Sequence, residues 1–332
     1  MDADSQAVPE PSWFLYRGTG TPMNPADRDR RWPAPPPWRT FSGAPDSATA
    51  PPPPQDGTAA RVLGPPGVPW PAVPDEVVRV NIALRLRRPL LVSGGPDTGR
   101  SAVAHRIARE LGLGPVLRWR VTGGSTLTDA LYGPAGGGTF RLGPLGTALL
   151  PRRLPRVLLV DGLDRGGFDL PEQVLGTLED GEFVLPELLG RTEKDPGTAV
   201  VHTWETGRTA TLRDALVRCH EPPLVVITSG GEADLSPGCV RQCVPLTLPP
   251  MTAGQLTALA RARFPALAEG RHGRLLEALV ERLLRDPDTD APGLLLDVLH
   301  LVDEGALDET GEEDEVEAAL DTVWRWAVVE GP

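Results

Sequence analysis

Short apolar runs bounded by glycine or proline alternate along the chain with segments whose apolar residues recur at helical spacing. The short runs predict buried β-strands, at residues 89–93, 116–121, 157–161, 224–228 and 244–248. Helical spacing predicts helices between several of them, at residues 75–87, 101–111 and 171–178. One or two β-hairpins are expected within 182–215. Because strands that alternate with helices form parallel sheets covered on both faces, the pattern predicts an α/β fold.

The pattern of apolar residues changes after Pro250, and no strand-like run occurs beyond it. Apolar spacing there predicts a small helical bundle, with helices around residues 256–260, 275–284, 294–302 and 316–329. We therefore expect three parts in the chain: an arm at 1–74, an α/β core at 75–250, and a helical unit with an acidic segment at 251–332.

The first part of the chain is rich in proline, with eighteen of the 38 prolines before residue 75. Proline fixes φ and has no N–H to donate, so this stretch is expected to be an extended arm without helix interiors or central strands. Trp32, Trp38 and Phe41 lie between the prolines. Since large exposed aromatic side chains are costly, we expect the arm to lie along a groove of the main body.

The formal net charge of −12 comes mostly from one segment, because Asp303–Asp321 holds ten acidic residues and no lysine or arginine. The rest of the chain is close to neutral. Binding to nucleic acid needs a clustered positive field, so we do not expect a nucleic-acid partner. A solvated loop leading into a helix is the simplest interpretation of the acidic segment, and a docking tail for a partner is the alternative.

Several broad classes are excluded by composition. With 37 glycines in 332 residues the chain is no collagen, and no apolar run approaches the ~18 residues that cross a bilayer. The chain opens Met1-Asp2-Ala3-Asp4, without the basic and apolar regions of a secretory signal. Three cysteines cannot all pair within the chain, which argues against a disulfide scaffold. We expect a soluble cytoplasmic protein with no membrane contact.

The strongest chemical motif follows the first predicted strand. A glycine-rich turn leads into a helix with the spacing of a P-loop: Gly94, four residues, Gly99, a basic residue and Ser101. The backbone N–H groups of such a turn and the helix N-terminus bind phosphate. The candidate ATP-binding residues are Gly94, Gly95, Pro96, Asp97, Thr98, Gly99, Arg100 and Ser101. Arg100 departs from the lysine of the pattern, and a glycine-rich turn of another α/β fold is the alternative.

A second motif supports the P-loop interpretation. The predicted strand at 157–161 ends in Asp161, 60 residues after Ser101, where a carboxylate can hold the water shell of Mg²⁺. Ser101 and Asp161 are therefore the candidate magnesium ligands. An ATPase of this kind carries a glutamate next, but this chain has Gly162, which offers no general base. We interpret Asp164 as structural.

Several longer strings resemble one known family, the MoxR-type AAA+ ATPases, and more narrowly a bacterial group found beside von Willebrand factor A proteins in conflict systems. The strings are Tyr16-Arg17-Gly18-Thr19-Gly20, Pro35-Pro36-Pro37-Trp38-Arg39-Thr40-Phe41, residues 140–151 (FRLGPLGTALLP), Leu178-Glu179-Asp180-Gly181-Glu182-Phe183 and Val226-Ile227-Thr228-Ser229. The resemblance implies an AAA+ P-loop core with a helical lid after about residue 250. It also implies assembly into a ring, often a hexamer, and ATP-driven remodelling of a partner protein.

The same comparison shows what this chain lacks. The family places a sensor asparagine after Thr228-Ser229, where this chain has Gly230, and two adjacent arginines before a cysteine, where it has Arg241 and Gln242. Arg241 is thus the one candidate left for the arginine finger that acts on a neighbouring subunit. The departures, including those at Arg100 and Gly162, all concern chemistry at the γ-phosphate. The family's scaffold strings are kept, which suggests a fold retained while hydrolysis was lost.

Three hypotheses follow from the sequence. The first is an ATP-binding subunit of a homo- or hetero-oligomeric AAA+ ring with impaired or absent hydrolysis, for which the resemblance implies a von Willebrand factor A-type partner. The second is an active ATPase that uses Arg100 in place of lysine, with Asp164 as base. The third is an interaction scaffold that binds no nucleotide.

A zinc site is a further, weaker possibility. Cys219, His220, Cys239 and Cys243 could be grouped as its ligands, but their spacing is not that of a standard zinc knuckle. We therefore expect these cysteines to be buried thiols.

Overall fold

A computed structural model describes residues 11–45, 57–65, 72–95, 98–189, 197–268, 271–285 and 291–305. Its strands are β1 (Leu90–Gly94), β2 (Leu117–Arg120), β3 (Tyr132–Gly136), β4 (Thr139–Leu142), β5 (Val157–Asp161), β6 (Glu182–Val184), β7 (Thr198–His202), β8 (Thr209–Arg213), β9 (Leu216–Arg218), β10 (Leu224–Thr228) and β11 (Val244–Leu248). Its α-helices are α1 (Pro25–Arg31), α2 (Gly57–Leu63), α3 (Pro74–Leu86), α4 (Arg100–Glu110), α5 (Leu127–Leu131), α6 (Pro144–Ala148), α7 (Leu170–Asp180), α8 (Pro237–Gln242), α9 (Ala253–Arg263), α10 (Arg271–Arg285) and α11 (Ala291–Asp303). No helix in these ranges is both long and apolar enough to span a bilayer.

The centre of the fold is a parallel sheet of five strands in the order β11-β1-β10-β5-β2. Its strands are those that the apolar runs predict, with ends that differ by at most one residue. Buried side chains form one cluster on each face: α3 and α4 cover one face, and α6 and α7 cover the other. The chain is thus an α/β protein with a parallel sheet flanked by helices, and the predicted fold class is confirmed.

A second sheet lies beside the first, in the order β3-β4-β7-β8-β9-β6. A hairpin expected within 182–215 is present in it as the antiparallel pair β7–β8, and a second antiparallel pair, β8–β9, extends beyond that range to Arg218. The sequence did not predict the β3–β4 hairpin, because glycine and proline dominate the run 133–138 and hide its strand pattern. A parallel pairing of Arg141 with His202 joins the hairpins into one sheet.

The proline-rich arm contains helices, and the prediction that it is wholly extended is wrong for residues 25–31 and 57–63. The first helix forms because Asn24 caps it, accepting a hydrogen bond from the Ala26 N–H at 2.9 Å. Pro25 occupies the first helical position, where the missing N–H has no partner to lose. Proline is therefore favourable at the first position of a helix, although it would break the same helix if it lay in the interior.

The described part of the arm packs against the core, as expected from its aromatic residues. Tyr16 is fully buried, and Trp32 and Phe41 pack against the two core clusters. Further along, the Gly43 N–H donates to the Cys219 carbonyl at 3.0 Å. Trp38 does not follow the expectation, because 76% of it is exposed.

Two polar side chains of the core hold the arm in place. Asn81 of α3 accepts hydrogen bonds from the backbone N–H groups of Leu15 and Tyr16, at 2.7 and 3.1 Å. Glu110, at the end of α4, accepts from the N–H groups of Arg17 and Thr19, at 2.5 and 2.7 Å. The string at 16–20 is thereby fixed to the two helices that cover one face of the sheet.

The helices after residue 250 share an apolar cluster of their own, formed by α9, α10 and α11. Thr252 and Gln255 form a reciprocal capping box that starts α9. Three of the four helices predicted after Pro250 are thus present. The fourth, at 316–329, and most of the acidic segment lie outside the described residues.

Candidate functional site

The candidate residues of both motifs lie at one edge of the central sheet. Strands β1, β10 and β5 are neighbours and run parallel, so their carboxyl ends meet at the same edge. Gly94 ends β1, Thr228 ends β10 and Asp161 ends β5. In open α/β sheets ligands bind at this edge, outside the carboxyl ends of the strands.

The P-loop turn leads directly from β1 into α4. Gly94 has φ 149°, and a Cβ at that position would lie 2.7 Å from the Leu248 carbonyl oxygen, so only glycine fits. Thr98 donates its hydroxyl to the Gly95 carbonyl at 3.1 Å, which closes the turn. Pro96 and Asp97 lie outside the described residues.

The guanidinium of Arg100 is held by backbone carbonyls. Its Nη1 donates to the carbonyl oxygens of Gly94 and Ser229, at 2.9 and 2.7 Å. The side chain thereby connects the P-loop to the end of β10. A planar guanidinium that bonds two strands is less mobile than the lysine ammonium of the common pattern.

The Asp161 carboxylate lies at the centre of a hydrogen-bond network, and its Oδ1 accepts two hydroxyl groups. Ser101 donates to Oδ1 at 3.0 Å and Thr228 donates to it at 2.9 Å. Thr228 in turn accepts the Gly162 N–H at 2.9 Å. The structure thus brings the two candidate magnesium ligands, Ser101 and Asp161, into direct contact.

Arg118 of β2 forms an ion pair with the other oxygen of this carboxylate, a contact that sequence reasoning missed. Its Nε lies 3.0 Å from Asp161 Oδ2, and its Nη2 donates to the same oxygen. Burial would raise the pKa of Asp161, but the hydrogen bonds from Arg118 and Thr228 outweigh burial and lower it. The signal available in the sequence was an arginine inside a predicted strand, next to tryptophan.

At nucleotide sites magnesium keeps several waters and takes its other oxygen ligands from one or two side chains and from the phosphates, so its fit here depends on Ser101 and Asp161. Both Asp161 oxygens are engaged, Oδ1 by Ser101 and Thr228 and Oδ2 by Arg118. A magnesium ion or its water shell would have to compete with Arg118 for Oδ2, or with the two hydroxyl groups for Oδ1. The donor set therefore does not fit the metal that the sequence led us to expect.

The two positions that carry catalytic side chains in the resembled family are glycines with different surroundings. Gly162 has φ 79° and ψ 51°, a left-handed conformation that costs other residues about 1–2 kcal/mol. At Gly230 an added Cβ would lie 3.6 Å from Arg100 Nη1 and 3.7 Å from Asp164 Oδ2, which is ordinary contact. The backbone therefore disfavours a side chain at Gly162 and leaves room for one at Gly230.

Asp164 shapes the loop after β10. Its Oδ2 accepts the N–H groups of Gly230 and Glu232, at 2.9 and 3.0 Å, and the residue is 5% exposed. Its other oxygen, Oδ1, is buried and has no hydrogen-bond partner among the described residues, so it is out of reach of a water molecule in the cleft. These contacts favour the structural interpretation of Asp164 over its use as a base.

Arg241 lies at the end of the sheet opposite the P-loop, where β1 and β11 begin. It is exposed in α8, just before β11 begins at Val244, and Val244 pairs with Leu90 at the start of β1. The two ends of a five-residue strand are about 13 Å apart. The structure therefore does not bring Arg241 together with Ser101 and Asp161 in one chain.

The cysteines grouped in the zinc alternative are separate from this site. Cys219, Cys239 and Cys243 are all buried and free. Burial raises the pKa of Cys219 to about 12. No set of three or more histidine, cysteine or acidic residues that could hold a metal occurs in the described part of the chain.

Comparisons with known proteins identify relatives in one group. No family model matches this chain. It is 32% identical over 226 residues to the Holliday junction branch migration complex subunit RuvB of Anaeromyxobacter sp. (strain K), and equally to RuvB of Anaeromyxobacter dehalogenans. The match covers 62% of this chain, and the chain spans only 60% of the length of these curated relatives.

Two solved structures match this chain at low sequence identity. The Thermotoga maritima RuvB branch migration motor matches with a TM-score of 0.43 and 17% identity, over 75% of this chain and 67% of that one. NtrX from Brucella abortus in complex with ATP matches with a TM-score of 0.36 and 14% identity, over 77% and 67%.

Proposed function

We propose that this chain is an ATP-binding subunit of an AAA+ assembly of the MoxR type, in which hydrolysis is impaired or absent. The observation that carries the proposal is the composition of one sheet edge. A P-loop with Arg100 and Ser101 lies there beside Asp161, while the two positions that would orient the attacking water are Gly162 and Gly230.

Phosphate binding is supported by the turn between β1 and α4. The N-terminus of α4 carries partial positive charge, and its cap residue Gly99 makes no side-chain hydrogen bond to the first turn; both features favour an anion. Gly94, Gly95, Thr98 and Gly99 supply backbone at the turn, and Arg100 supplies a full charge. Nucleotide phosphates are the ligand class that this combination suits.

Loss of hydrolysis is supported by the side chains near the end of β5. Water attack on a phosphate needs a group that orients the water or accepts its proton. Gly162 has no side chain, and Asp164 is engaged by two backbone N–H groups. The alternative of an active enzyme would need another carboxylate, and the contacts of Asp164 do not favour it.

Assembly and partner are proposed on the resemblance to the MoxR group. Arg241 is exposed and far from its own P-loop, which supports the proposed role at the site of a neighbouring subunit. The net charge of −12 favours a protein over a nucleic acid as the remodelled substrate, and a von Willebrand factor A-type protein is the partner we propose. Sedimentation velocity with ATP, with and without such a protein, tests both points. A chain that stays monomeric throughout contradicts them.

We propose that the chain has three parts: an arm at 1–74, a nucleotide-binding core at 75–250 and a lid at 251–332. Met251, at the start of the last part, has its Cε 3.4 Å from the position of a Cβ on Gly99. The first residue of the proposed lid therefore already lies over the P-loop.

Substitution of Arg100 tests the nucleotide site. Arg100→Ala removes a charge-assisted contact worth about 1.5–3 kcal/mol, so we expect ATP to bind roughly 10- to 100-fold more weakly in calorimetric titration. Arg100→Lys restores the common pattern, and we expect near wild-type binding without any gain in phosphate release. Arg153→Ala, at an exposed position before β5, is the matched control and leaves binding unchanged. Equal affinity in all four proteins would contradict a P-loop site.

A further inference from the structure

The Asp161 carboxylate already has a cation, which is the guanidinium of Arg118. The two side chains come from neighbouring strands, since β2 pairs with β5 in parallel. Nε and Nη2 of Arg118 both donate to Oδ2 of Asp161, and the carboxylate side chain is only 16% exposed. Charge-assisted pairs of this geometry are about twice as strong as neutral hydrogen bonds.

The guanidinium of Arg118 reaches the edge of the sheet formed by the carboxyl ends of the strands, where we propose that the phosphates bind. Arg118 lies opposite Leu159 in the register of β2 and β5, and its side chain crosses to the carboxylate at the end of β5. About a third of the side chain remains exposed. Only Nε and Nη2 are used by Asp161, so the Nη1 end carries further N–H donors.

We propose that this site binds its nucleotide without a divalent cation, with Arg118 in the role that magnesium has in other P-loop proteins. This inference rests on the proposed nucleotide binding. Arg118 neutralises Asp161, and Arg118 and Arg100 together offer two guanidinium groups to the phosphates. The ligand is therefore the metal-free nucleoside di- or triphosphate, for which guanidinium groups are well suited as bidentate donors.

Metal-free binding also agrees with the lack of a catalytic base. In phosphoryl transfer the metal ion neutralises charge that develops on the β- and γ-phosphate oxygens. A subunit that holds nucleotide only as a structural ligand does not have to stabilise this developing charge, but only the charge that the bound phosphates already carry. The ion pair at Asp161 and the glycine at position 162 are thus both consistent with nucleotide binding without hydrolysis.

The test is calorimetric titration of the wild-type protein with ATP, once in EDTA and once with excess Mg²⁺. We expect dissociation constants that agree within about threefold, because the protein supplies the cation itself. Wild-type binding that weakens 100-fold or more in EDTA overturns the inference but leaves the proposed function standing. An absence of binding in both buffers overturns the proposed function as well.

Two variants make the test specific to Arg118. In Arg118→Gln the carboxylate loses its cation, so we expect binding in EDTA to weaken roughly 10- to 100-fold and to recover with Mg²⁺. Arg213→Gln is the control, since Arg213 is an exposed arginine on strand β8 of the second sheet, and it should behave as wild type. Electron paramagnetic resonance with Mn²⁺ gives a second readout. Bound Mn²⁺ is expected only in Arg118→Gln, and bound Mn²⁺ in the wild type contradicts the proposal.

Discussion

Replacement of Glu76 by alanine is expected to lower the free energy of unfolding by about 3–5 kcal/mol, because it removes the carboxylate that balances the buried charge of Arg106. Glu76 of α3 and Arg106 of α4 form a bidentate pair, at 2.9 and 2.5 Å, whose side chains are 1% and 4% exposed. The hydroxyl of Tyr16 donates to the same carboxylate at 2.7 Å. One carboxylate therefore joins the arm to both helices on that face of the sheet.

Urea denaturation of matched variants measures this effect. Asp75→Ala is the control, since Asp75 precedes Glu76 on the same helix but forms an exposed pair with Arg79, worth about 0–1 kcal/mol. Tyr16→Phe keeps the ion pair and removes one hydrogen bond to a charged group, for which about 1.5–3 kcal/mol is expected. A loss at Glu76 no larger than that at Asp75 would refute the role assigned to the pair.

The stability of the protein is expected to fall by up to about 3 kcal/mol as the pH is lowered from 6.5 to 4, because of His105 on the P-loop helix. Burial, and then the positive charges of Arg118, Arg109, Arg61 and Arg106, lower the pKa of His105 to about 4. The unfolded chain has the ordinary value of about 6.5. In this window the unfolded state binds a proton that the folded state does not. The contribution is therefore fully present above pH 6.5 and is lost as the pH falls.

Other groups also titrate in this range, so a difference between two proteins isolates His105. His105→Gln stays neutral at every pH, and we expect the wild type to lose about 3 kcal/mol relative to this variant between pH 7 and pH 4. Denaturation curves at intervals of half a pH unit give the comparison. A difference that stays flat across the window would mean that His105 is not held neutral in the fold.

The central sheet could be predicted from the sequence because its five strands are buried on both faces. Such strands are short apolar runs, and glycine and proline mark their ends in this chain. The β3–β4 hairpin and the arm helices were missed for the opposite reason. Glycine and proline dominate the run 133–138 of the hairpin, and prolines flank the arm helices, whose formation depends on local capping and on contacts with the core.

The candidate site could be predicted in part. The spacing from Gly94 to Ser101 and the strand that ends in Asp161 define a P-loop because each lies on one continuous segment. Arg118 could not be found in the same way, since it is 43 residues from Asp161 and pairs with it only through the order of the strands. The left-handed backbone of Gly162 was also hidden, because glycine adopts many conformations and its sequence position does not select among them.

The central claim is nucleotide binding without turnover, and phosphate release measured on protein that is demonstrably saturated with ATP tests it most directly. Saturation is shown first by thermal denaturation, where ligand at 100 times its dissociation constant stabilises the protein by about 2.7 kcal/mol. The same sample is then assayed for inorganic phosphate, in Mg²⁺ and in EDTA. We predict a clear thermal shift together with phosphate release no faster than from ATP alone. Phosphate release well above that background in Mg²⁺, abolished by Arg100→Ala, would contradict the account.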